Sequence, residues 1–482
     1  MLHLDRRLFL AGAAGSVAAA QAAVAGVRAP GAAAGTAPVP VNPLVKQRAD
    51  AQVFRHTDGY YYLTGSVPEY DRLVLRRSRT LAGLANAEER VLWRHEATGP
   101  MSGFLWAPEL HLFQGKWIMY FAAGPSGGGE DVFRIRTYAI VCDGPDPMTG
   151  NWKVLGKFES PFDGFNLDST IFEHRGVSYF CWAEREPGIE TNSNLYLAPL
   201  KTPLTLGAKA VRLTVPTLDW EIRGFKVAEA PAVLARNGRL FLTYSASATD
   251  DRYSLGMLTA RDDADIMDPK SWVKSPQPVF VSSEVTSVYG PGHNSFTVDE
   301  QGRDVLVYHG RDYKAITGDP LFDPNRHTRV QRIYYREDGT PDFGIPVGNG
   351  PVPDRFSPAN APKQFVRHDG DRVVVGQGSI PSSQFRSVES MAGSGAISLA
   401  PIDVADRVLF AAPDGSVRLA QPLRDRQFVL RSSFVREAVG RDTVRFALAG
   451  RPNMVLAQVG GELRLVARAT RGNAQNSVFR VS

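Results

Sequence analysis

Carboxyl and imidazole side chains recur at regular intervals in the first 350 residues of this chain. Each lies six to nine residues before a glycine that opens a short strand rich in aromatic residues. The polar residues are Asp50, Glu109, Asp168, Glu229 and His293, and the glycines are Gly59, Gly115, Gly176, Gly238 and Gly302. The glycines are spaced 56, 61, 62 and 64 residues apart, which predicts a repeat architecture. Because equivalent positions of a radial repeat face its axis, we expect these groups to meet in one small space.

Three of these residues are carboxylic acids in surroundings that suit glycoside hydrolysis. Glu229 precedes Ala-Pro in an apolar stretch, where loss of water would raise its pKa toward that of a general acid. Asp168 lies in a run predicted to be a buried strand, where it either pairs with a basic group or tunes a neighbour's pKa. Asp50 suits either a loop cap or a catalytic base. One acid could protonate a leaving oxygen, one could activate water, and the third could orient them.

The remaining polar and aromatic positions carry weaker predictions. His293 is either a core histidine or a ligand in a central channel, where calcium or sodium could bind in a structural role. The hydrolysis itself requires no metal and no cofactor. Glu109 is interpreted as structural, because it falls out of register with the other acids by about three residues. Trp106 and Trp182 are candidate walls for stacking a sugar ring, although aromatic residues in strands mostly belong to the core.

The elements that must position these residues are short strands. Residues 42–350 show aromatic and β-branched runs bounded by turn signals, with no amphipathic stretch that demands a helix. Five blocks of about 60 residues predict a five-bladed β-propeller in an all-β protein. The proline-rich segment 351–362 is predicted to be a linker. Residues 363–482 contain three weaker repeats of about 40 residues, which favour a smaller β-trefoil-like domain.

Composition and the N-terminus limit the partners and the compartment. The net charge is +5 and no block of five like charges occurs, so neither nucleic acid nor an anionic membrane is predicted as a partner. Arg6 and Arg7 precede a mildly apolar, Ala-rich stretch, so residues 1–28 are predicted to be a twin-arginine export signal, with an uncleaved membrane helix as the alternative. Residues 29–41 are predicted to be a linker. We expect a monomer that is secreted or periplasmic.

Several longer motifs resemble those of glycoside hydrolase family 43, especially its α-L-arabinofuranosidases, including exo-acting 1,5-arabinan enzymes. The resemblance runs from about residue 42 to 346 and rests on RADAQVFRHTDGYYYLTGS, WAPELH, LDSTIFEH, VAEAPAVLARNGRLFLTYSAS, GPGHNSFTVDEQGRDVLVYHGR and DPNRHTRVQ. It implies a five-bladed propeller and an inverting mechanism. By this resemblance Asp50 is the general base, Glu229 the general acid, and Asp168 the acid that orients them and modulates their pKa. The resemblance also implies a metal or water network at His293 and substrate contacts at Arg326 and His327.

Some positions depart from the family pattern. Alanine follows Asp50 where proline is usual, and Glu229 lies in Ala-Glu-Ala-Pro rather than Asn-Glu-Gly-Pro. The C-terminal segment resembles the arabinose-binding module of family 42, but only Arg367-His368 keeps that module's Arg-His pair.

The sequence therefore predicts an inverting, exo-acting hydrolase that releases arabinose from plant-cell-wall arabinan or arabino-oligosaccharides. The alternatives are a β-xylosidase on the same scaffold and a non-catalytic carbohydrate-binding propeller.

Overall fold

The chain forms an all-β protein with five successive antiparallel sheets followed by one larger sheet. The computed structural model describes residues 38–126, 131–393, 395–470 and 472–482. The predicted export signal and residues 29–37 of the predicted linker lie outside these ranges. The five sheets are the blades of a β-propeller, so the predicted fold class is confirmed.

Each blade is built from strands that follow one another in the chain, and the first strand of each is the innermost. Blade 1 comprises Ala49–Arg55, Tyr61–Ser66, Arg72–Ser78 and Glu89–Arg94, and blade 2 comprises Gly103–Phe113, Lys116–Gly124, Arg136–Asp143 and Asn151–Lys157. Blade 3 comprises Asn166–His174, Val177–Glu184, Asn194–Thr202, Thr205–Leu206 and Val211–Thr214. Blade 4 comprises Ala228–Arg236, Arg239–Ala246, Ser254–Arg261 and Val273–Lys274, and blade 5 comprises Tyr289–Val298, Asp304–Arg311 and His327–Arg332.

The N-terminal end of the described chain closes the ring of blades. The backbone N–H of Leu44 donates to the carbonyl of Thr328 in blade 5 (2.8 Å), and the N–H of Thr328 donates back to Val45 (2.9 Å). The short strand Val41–Asn42 pairs with Gly350–Pro351 in the same region. Residues 44–45 thus pair with the outermost strand of blade 5. The predicted propeller boundary at residue 42 falls inside the strand Val41–Asn42.

The innermost strand of every blade carries a β-bulge at the same place. There, two of its residues face one residue of the next strand, which interrupts the regular register. The first residue of each bulge has a positive φ, between 42° and 53°, which is uncommon for residues other than glycine. These residues are Asp50, Ala107, Asp168, Ala230 and His293. Their shared backbone conformation defines the true repeat positions.

The bulges correct the register predicted from the glycines. Asp50, Asp168 and His293 are equivalent, as expected, but Glu229 precedes the bulge residue of blade 4 by one position. Glu109 follows the bulge residue of blade 2 by two positions rather than three. Glu109 is buried, and its Oε2 lies 2.9 Å from Nε2 of His111.

The C-terminal residues form a second β domain with its own apolar core. Its strands are Asp354–Pro358, Phe365–Asp369, Arg372–Gly376, Gln384–Glu389, Ile397–Pro401, Val408–Ala411, Val417–Ala420, Phe434–Gly440, Thr443–Leu448, Arg451–Val459, Glu462–Ala467 and Phe479–Val481. Within the described residues they form one sheet. The segment predicted as a linker (351–362) contains its first strand, which pairs with Phe479–Val481. That prediction was therefore wrong for Asp354–Pro358, and the trefoil-like arrangement stays a prediction.

The remaining elements are short. A hairpin pairs Tyr334–Tyr335 with Pro341–Asp342. The helices are Ala82–Asn86, Asp131–Arg134, Pro269–Ser271, Pro320–Phe322 and Pro381–Ser383, which are 3-10, and Arg426–Arg431 and Asn473–Asn476, which are α. None of the helices in the described ranges is long and apolar enough to cross a membrane. Cys142 and Cys181 are buried free thiols.

Candidate active site

A cavity of about 140 Å³ opens where the innermost strands of the blades meet. Its polar lining groups come from different blades and from the loops that connect their strands. They include Asp50, Asp168, Glu229, Tyr253, His293 and Arg326. Apolar side chains form the rest of the wall, among them Trp106, Phe133, Phe165, Leu167, Phe225, Val227 and Leu321. The structure therefore brings the three predicted acids, His293, Arg326 and Trp106 to one cavity.

Asp50 is the carboxylate with the strongest positive surroundings. Its Oδ2 accepts a hydrogen bond from Ser66 Oγ (2.6 Å), and Nη1 of Arg326 lies 3.3 Å from Oδ1. The rings of His293 and His309 also approach Oδ1, at 3.4 and 3.2 Å. Burial by itself would raise the pKa of Asp50, but the positive charge of Arg326, with smaller contributions from the rings of His293 and His309, outweighs it. Together these groups hold the pKa well below its usual range, so Asp50 is ionised at neutral pH.

Glu229 lies in a different electrostatic environment. Its Oε1 accepts a hydrogen bond from the phenol of Tyr253 (2.8 Å). Burial raises the pKa of Glu229 to about 7, the Tyr253 hydrogen bond opposes that rise, and the negative charge of Asp50 adds to it. At neutral pH the carboxyl is therefore protonated in a large fraction of molecules. Two carboxyl groups in one cavity thus differ in protonation because their surroundings differ.

Asp168 is the third carboxyl group, and it is also buried. Burial, followed by the negative charges of Glu229 and Asp50, raises its pKa well above the usual range. Its carboxylate accepts a hydrogen bond from the backbone N–H of Ala230, the residue after Glu229. Nδ1 of His293 lies 3.8 Å from its Oδ2. Asp168 therefore contacts the strand that carries Glu229 and lies near His293, whose ring also approaches Asp50.

The two histidines of the channel are neutral. Burial lowers the pKa of His293, and it lowers that of His309 to about 4. Calcium prefers six to eight oxygen ligands, yet the described residues contain no group of three or more His, Cys, Asp or Glu that could hold a metal ion. The side chains around His293 do not by themselves supply such a shell. The ion that the sequence predicts at His293 therefore stays a prediction.

Arg326 connects Asp50 to the apolar wall. Its Nη2 donates to the phenol oxygen of Tyr70 (2.8 Å), and Tyr70 in turn donates to the carbonyl of Leu321. The guanidinium is almost fully buried, and its Nε has no hydrogen-bond partner among the described residues. Trp106 packs edge-on against Tyr70 at 5.5 Å, and its Nε1 is also buried without a partner there. Both atoms belong to side chains that line the cavity.

Two residues predicted to contact substrate lie elsewhere. Trp182 is fully buried between blades 2 and 3, packs against Phe180 and Tyr196, and donates through Nε1 to Glu184 (2.9 Å). It lies in the second strand of blade 3, opposite the bulge, on the face turned toward blade 2, so it does not form a wall of the cavity. His327 is buried outside the cavity lining, and its Nδ1 accepts a hydrogen bond from the backbone N–H of Gln47 (3.0 Å).

Sequence reasoning missed three polar residues of the site. Ser66 lies at the end of the second strand of blade 1, His309 lies in the second strand of blade 5, and Tyr253 immediately precedes the third strand of blade 4. A signal was present for His309, since it lies in GRDVLVYHG, one of the five glycine-led segments. We find no comparable sequence signal for Tyr253, because its contact with Glu229 is made across blade 4 between residues that are 24 positions apart.

The comparisons with known proteins agree with this arrangement. The family model for glycosyl hydrolases family 43 matches residues 40–341. An extracellular exo-α-(1→5)-L-arabinofuranosidase of Streptomyces avermitilis is 50% identical over 361 residues, which is 74% of this chain and 74% of the relative. A protein of the same name from Streptomyces chartreusis is 54% identical over 318 residues, covering 66% of this chain and 94% of the relative.

A solved structure extends the likeness to three dimensions. The crystal structure of an α-L-arabinofuranosidase from Lactobacillus brevis is 53% identical, with a TM-score of 0.63. The match covers 64% of this chain and 98% of that one. Sequence, fold and cavity lead to one conclusion: this chain belongs to family 43 of the glycosyl hydrolases.

Proposed function

We propose that this protein is an inverting, exo-acting α-L-arabinofuranosidase that releases arabinose from arabinan or arabino-oligosaccharides. The observation that carries the proposal is the contrast between Asp50, which is ionised, and Glu229, which has a pKa of about 7, in one cavity. Inverting glycosidases need one carboxylate base and one carboxylic acid. The names of the similar proteins, which are arabinofuranosidases, support the choice of sugar.

The proposed mechanism assigns one role to each acid. Asp50 accepts a proton from the water that attacks the anomeric carbon, and Arg326 keeps Asp50 ionised until then. Glu229 gives its proton to the leaving oxygen as the glycosidic bond breaks. Asp168 orients this pair, since it contacts the backbone next to Glu229 and lies near His293, which also approaches Asp50. No step uses a metal or another cofactor, so we expect full activity after dialysis against a chelator.

The cavity wall supports binding of a terminal sugar. Arg326 and Trp106 offer buried donors to sugar hydroxyls, and the apolar wall suits the C–H faces of a ring. Phe133 and Phe225 line the cavity with 41% and 51% of their surface exposed. Rings in this position at the mouth favour a pocket that admits chain ends over a groove that admits internal segments. The substrates we propose are therefore plant-cell-wall arabinan ends and short oligosaccharides.

The first test is release of arabinose from 1,5-linked arabinotriose by wild type and by Glu229→Gln. We expect wild type to release monomers first, and the variant to be about 10²- to 10⁴-fold slower. Exposed Glu88→Gln is the matched control and should act as wild type. Proton NMR should detect the β-anomer as the initial product. Faster cleavage of a β-xyloside than of an arabinofuranoside would contradict the sugar assignment, and full activity of Glu229→Gln would contradict the acid assignment.

We also propose that the protein is exported. Two similar proteins are named extracellular, and the twin arginines Arg6 and Arg7 suit a folded-protein export route. Replacing both arginines by lysine should leave the precursor inside the cell, measured by immunoblot of cell and medium fractions. Unchanged export of that variant would contradict the signal type while leaving secretion itself in place.

A further inference from the structure

We propose that Tyr253 is a positioning residue that holds Glu229 in the orientation needed to protonate the leaving oxygen. This inference deepens the proposed function and rests on it. The phenol of Tyr253 donates to Oε1 of Glu229 at 2.8 Å, and both side chains line the cavity. A carboxylic acid whose Oε1 accepts a hydrogen bond carries its own proton on Oε2. The Tyr253 contact therefore selects which oxygen of Glu229 is the donor.

Packing between blades fixes the Tyr253 ring. The side chain is 2% exposed, and the ring stacks in parallel on His309 of blade 5, with centroids 5.7 Å apart and an interplanar angle of 1°. A Cβ at Gly292 would lie 2.3 Å from the ring, so blade 5 carries the one residue type that leaves room for it. A phenol packed against Gly292 and His309 of blade 5 is a rigid point from which to orient a flexible glutamate.

Hydrogen bonds also fix the direction of the Tyr253 hydroxyl. Ser245 accepts from the backbone N–H of His293 at 2.8 Å and hydrogen-bonds to the Tyr253 phenol. Because Ser245 pairs with Glu229 in the blade 4 hairpin, the serine, the phenol and the carboxyl belong to one small unit. With the serine hydroxyl directed at the phenol oxygen, the phenol hydrogen is left for Glu229.

The proton transfer from Glu229 is one step of a glycoside hydrolysis in which each bond broken is matched by a bond formed. The proton on Oε2 of Glu229 moves to the leaving oxygen as the bond from that oxygen to the anomeric carbon breaks. The attacking water forms the new bond and gives its proton to Asp50. Tyr253 keeps its own proton throughout, because burial raises the pKa of its phenol well above the usual range. Tyr253 contacts the proton donor, Glu229, and affects the reaction only through that residue.

The test compares two leaving groups in Tyr253→Phe, which keeps the stacked ring and removes the hydroxyl. An arabinose alkoxide needs the proton of Glu229 as it leaves, whereas a 2,4-dinitrophenolate does not. We expect kcat on 1,5-linked arabinobiose to fall about 10- to 100-fold, and kcat on 2,4-dinitrophenyl α-L-arabinofuranoside to stay within about threefold of wild type. Equal losses on both substrates, or no loss on either, would overturn the proposal.

A pH profile adds an independent readout. Asp50, Asp168 and Arg326 face Glu229 from blades 1, 3 and 5, and none of them changes in the variant. The lost hydrogen bond stabilised the charged carboxylate, so its removal raises the pKa of Glu229. The alkaline limb of kcat/KM should therefore move to higher pH while the acid limb stays. A shift to lower pH would contradict the proposed contact.

Two controls separate positioning from folding and from failure of the proposed function. Tyr244→Phe removes another buried phenol, which donates to Glu221 outside the cavity at 2.6 Å, and should leave the ratio between the two substrates unchanged. In a Glu229→Gln background, Tyr253→Phe should cost no further activity on arabinobiose; a full additional loss would contradict the proposal. If wild type itself releases no arabinose from either substrate, the proposed function fails before Tyr253 is tested.

Discussion

Asp50 and Asp354 are both buried aspartates that face arginine, yet they lie in very different regions. Asp50 lines the cavity next to Arg326. Asp354 lies where the C-terminal domain meets blade 5, between Arg332 of that blade and Arg436 of the domain. In each case burial would raise the pKa, but the arginines outweigh it and hold the pKa below its usual range. Both groups are ionised at neutral pH.

The two aspartates differ in whether a carboxylate oxygen remains free to bind a further partner. Oδ1 of Asp354 accepts from Arg332 and Oδ2 accepts from Arg436, at 2.7 Å for the latter, so each oxygen has its own arginine. Around Oδ1 of Asp50 the nearest nitrogens lie at 3.2 to 3.4 Å, and the carboxylate opens to the cavity. Because both oxygens of Asp354 are occupied by arginines, this ion pair serves to join the two domains. An ionised carboxylate whose Oδ1 has only long contacts and faces a cavity can take up a proton.

The largest expected effect is on activity in Asp50→Asn. Removing the base should lower kcat on arabino-oligosaccharides about 10²- to 10⁴-fold. The cost in stability should be smaller than at the domain junction, because Asp168 and Glu229 face the same cavity and can ionise to offset the charge of Arg326. Single-turnover assays and a urea unfolding curve measure the two effects. A variant that unfolds readily but keeps its kcat would reverse our comparison.

Asp354→Asn should show the opposite pattern. It leaves Arg332 and Arg436 without their buried carboxylate, which typically lowers the free energy of unfolding by about 3–5 kcal/mol. The urea midpoint should fall, and the kcat of the folded fraction should stay within about twofold of wild type. Asp50→Asn, measured beside it, is the matched control. Loss of kcat without loss of stability would mean that the junction acts on the cavity.

The acid limb of the pH profile should respond to Arg326→Gln. Arg326 favours the ionised form of Asp50, so its removal raises the pKa of Asp50. The base then becomes protonated at higher pH, and the acid limb of kcat/KM should move up by about one pH unit. Exposed Arg223→Gln serves as the control. An acid limb that stays in place would show that the histidines and Ser66 suffice to keep Asp50 ionised.

Most of the fold and the three acids followed from the sequence because both depend on local pattern. Strand signals and the 60-residue period predicted the five blades, and the polar residue in each repeat predicted a shared axis. The one-residue error at Glu229 has a physical cause. A bulge adds a residue to the innermost strand, and neither hydrophobic alternation nor glycine spacing records it.

Contacts between blades could not be predicted in the same way. Trp182 and Trp106 look alike in sequence, but alternation along a strand turns the first toward the neighbouring blade, whereas the second precedes a bulge and lines the cavity. The stacking of Tyr253 on His309 likewise depends on how blade 4 packs on blade 5. The strand Asp354–Pro358 was hidden by prolines, whose missing N–H groups are tolerated at strand ends and edges.

The smallest expected effect is on the stability of Glu229→Gln. The pKa of Glu229 is raised, whereas those of Asp50 and Asp354 are lowered. The pKa of Glu229 is about 7 in the folded protein, above the ordinary value of about 4.3 for an unfolded chain. Folding therefore binds a proton, and the ionised group destabilises the fold increasingly as pH rises from about 4 to 7. Asp354 has the opposite sign, because its lowered pKa contributes stability above pH 4 that is lost as the pH falls further.

Glutamine cannot ionise, so Glu229→Gln should melt about 2–5 °C above wild type at pH 8 and at nearly the same temperature at pH 4. Calorimetry at both pH values measures the difference, and Glu88→Gln, which is exposed, should show none. An equal gain at the two pH values would point to better packing rather than to a removed charge. A gain confined to pH 8 would mean that this site gives up stability to keep Glu229 ready to donate its proton, whereas the carboxylate at the domain junction serves stability alone.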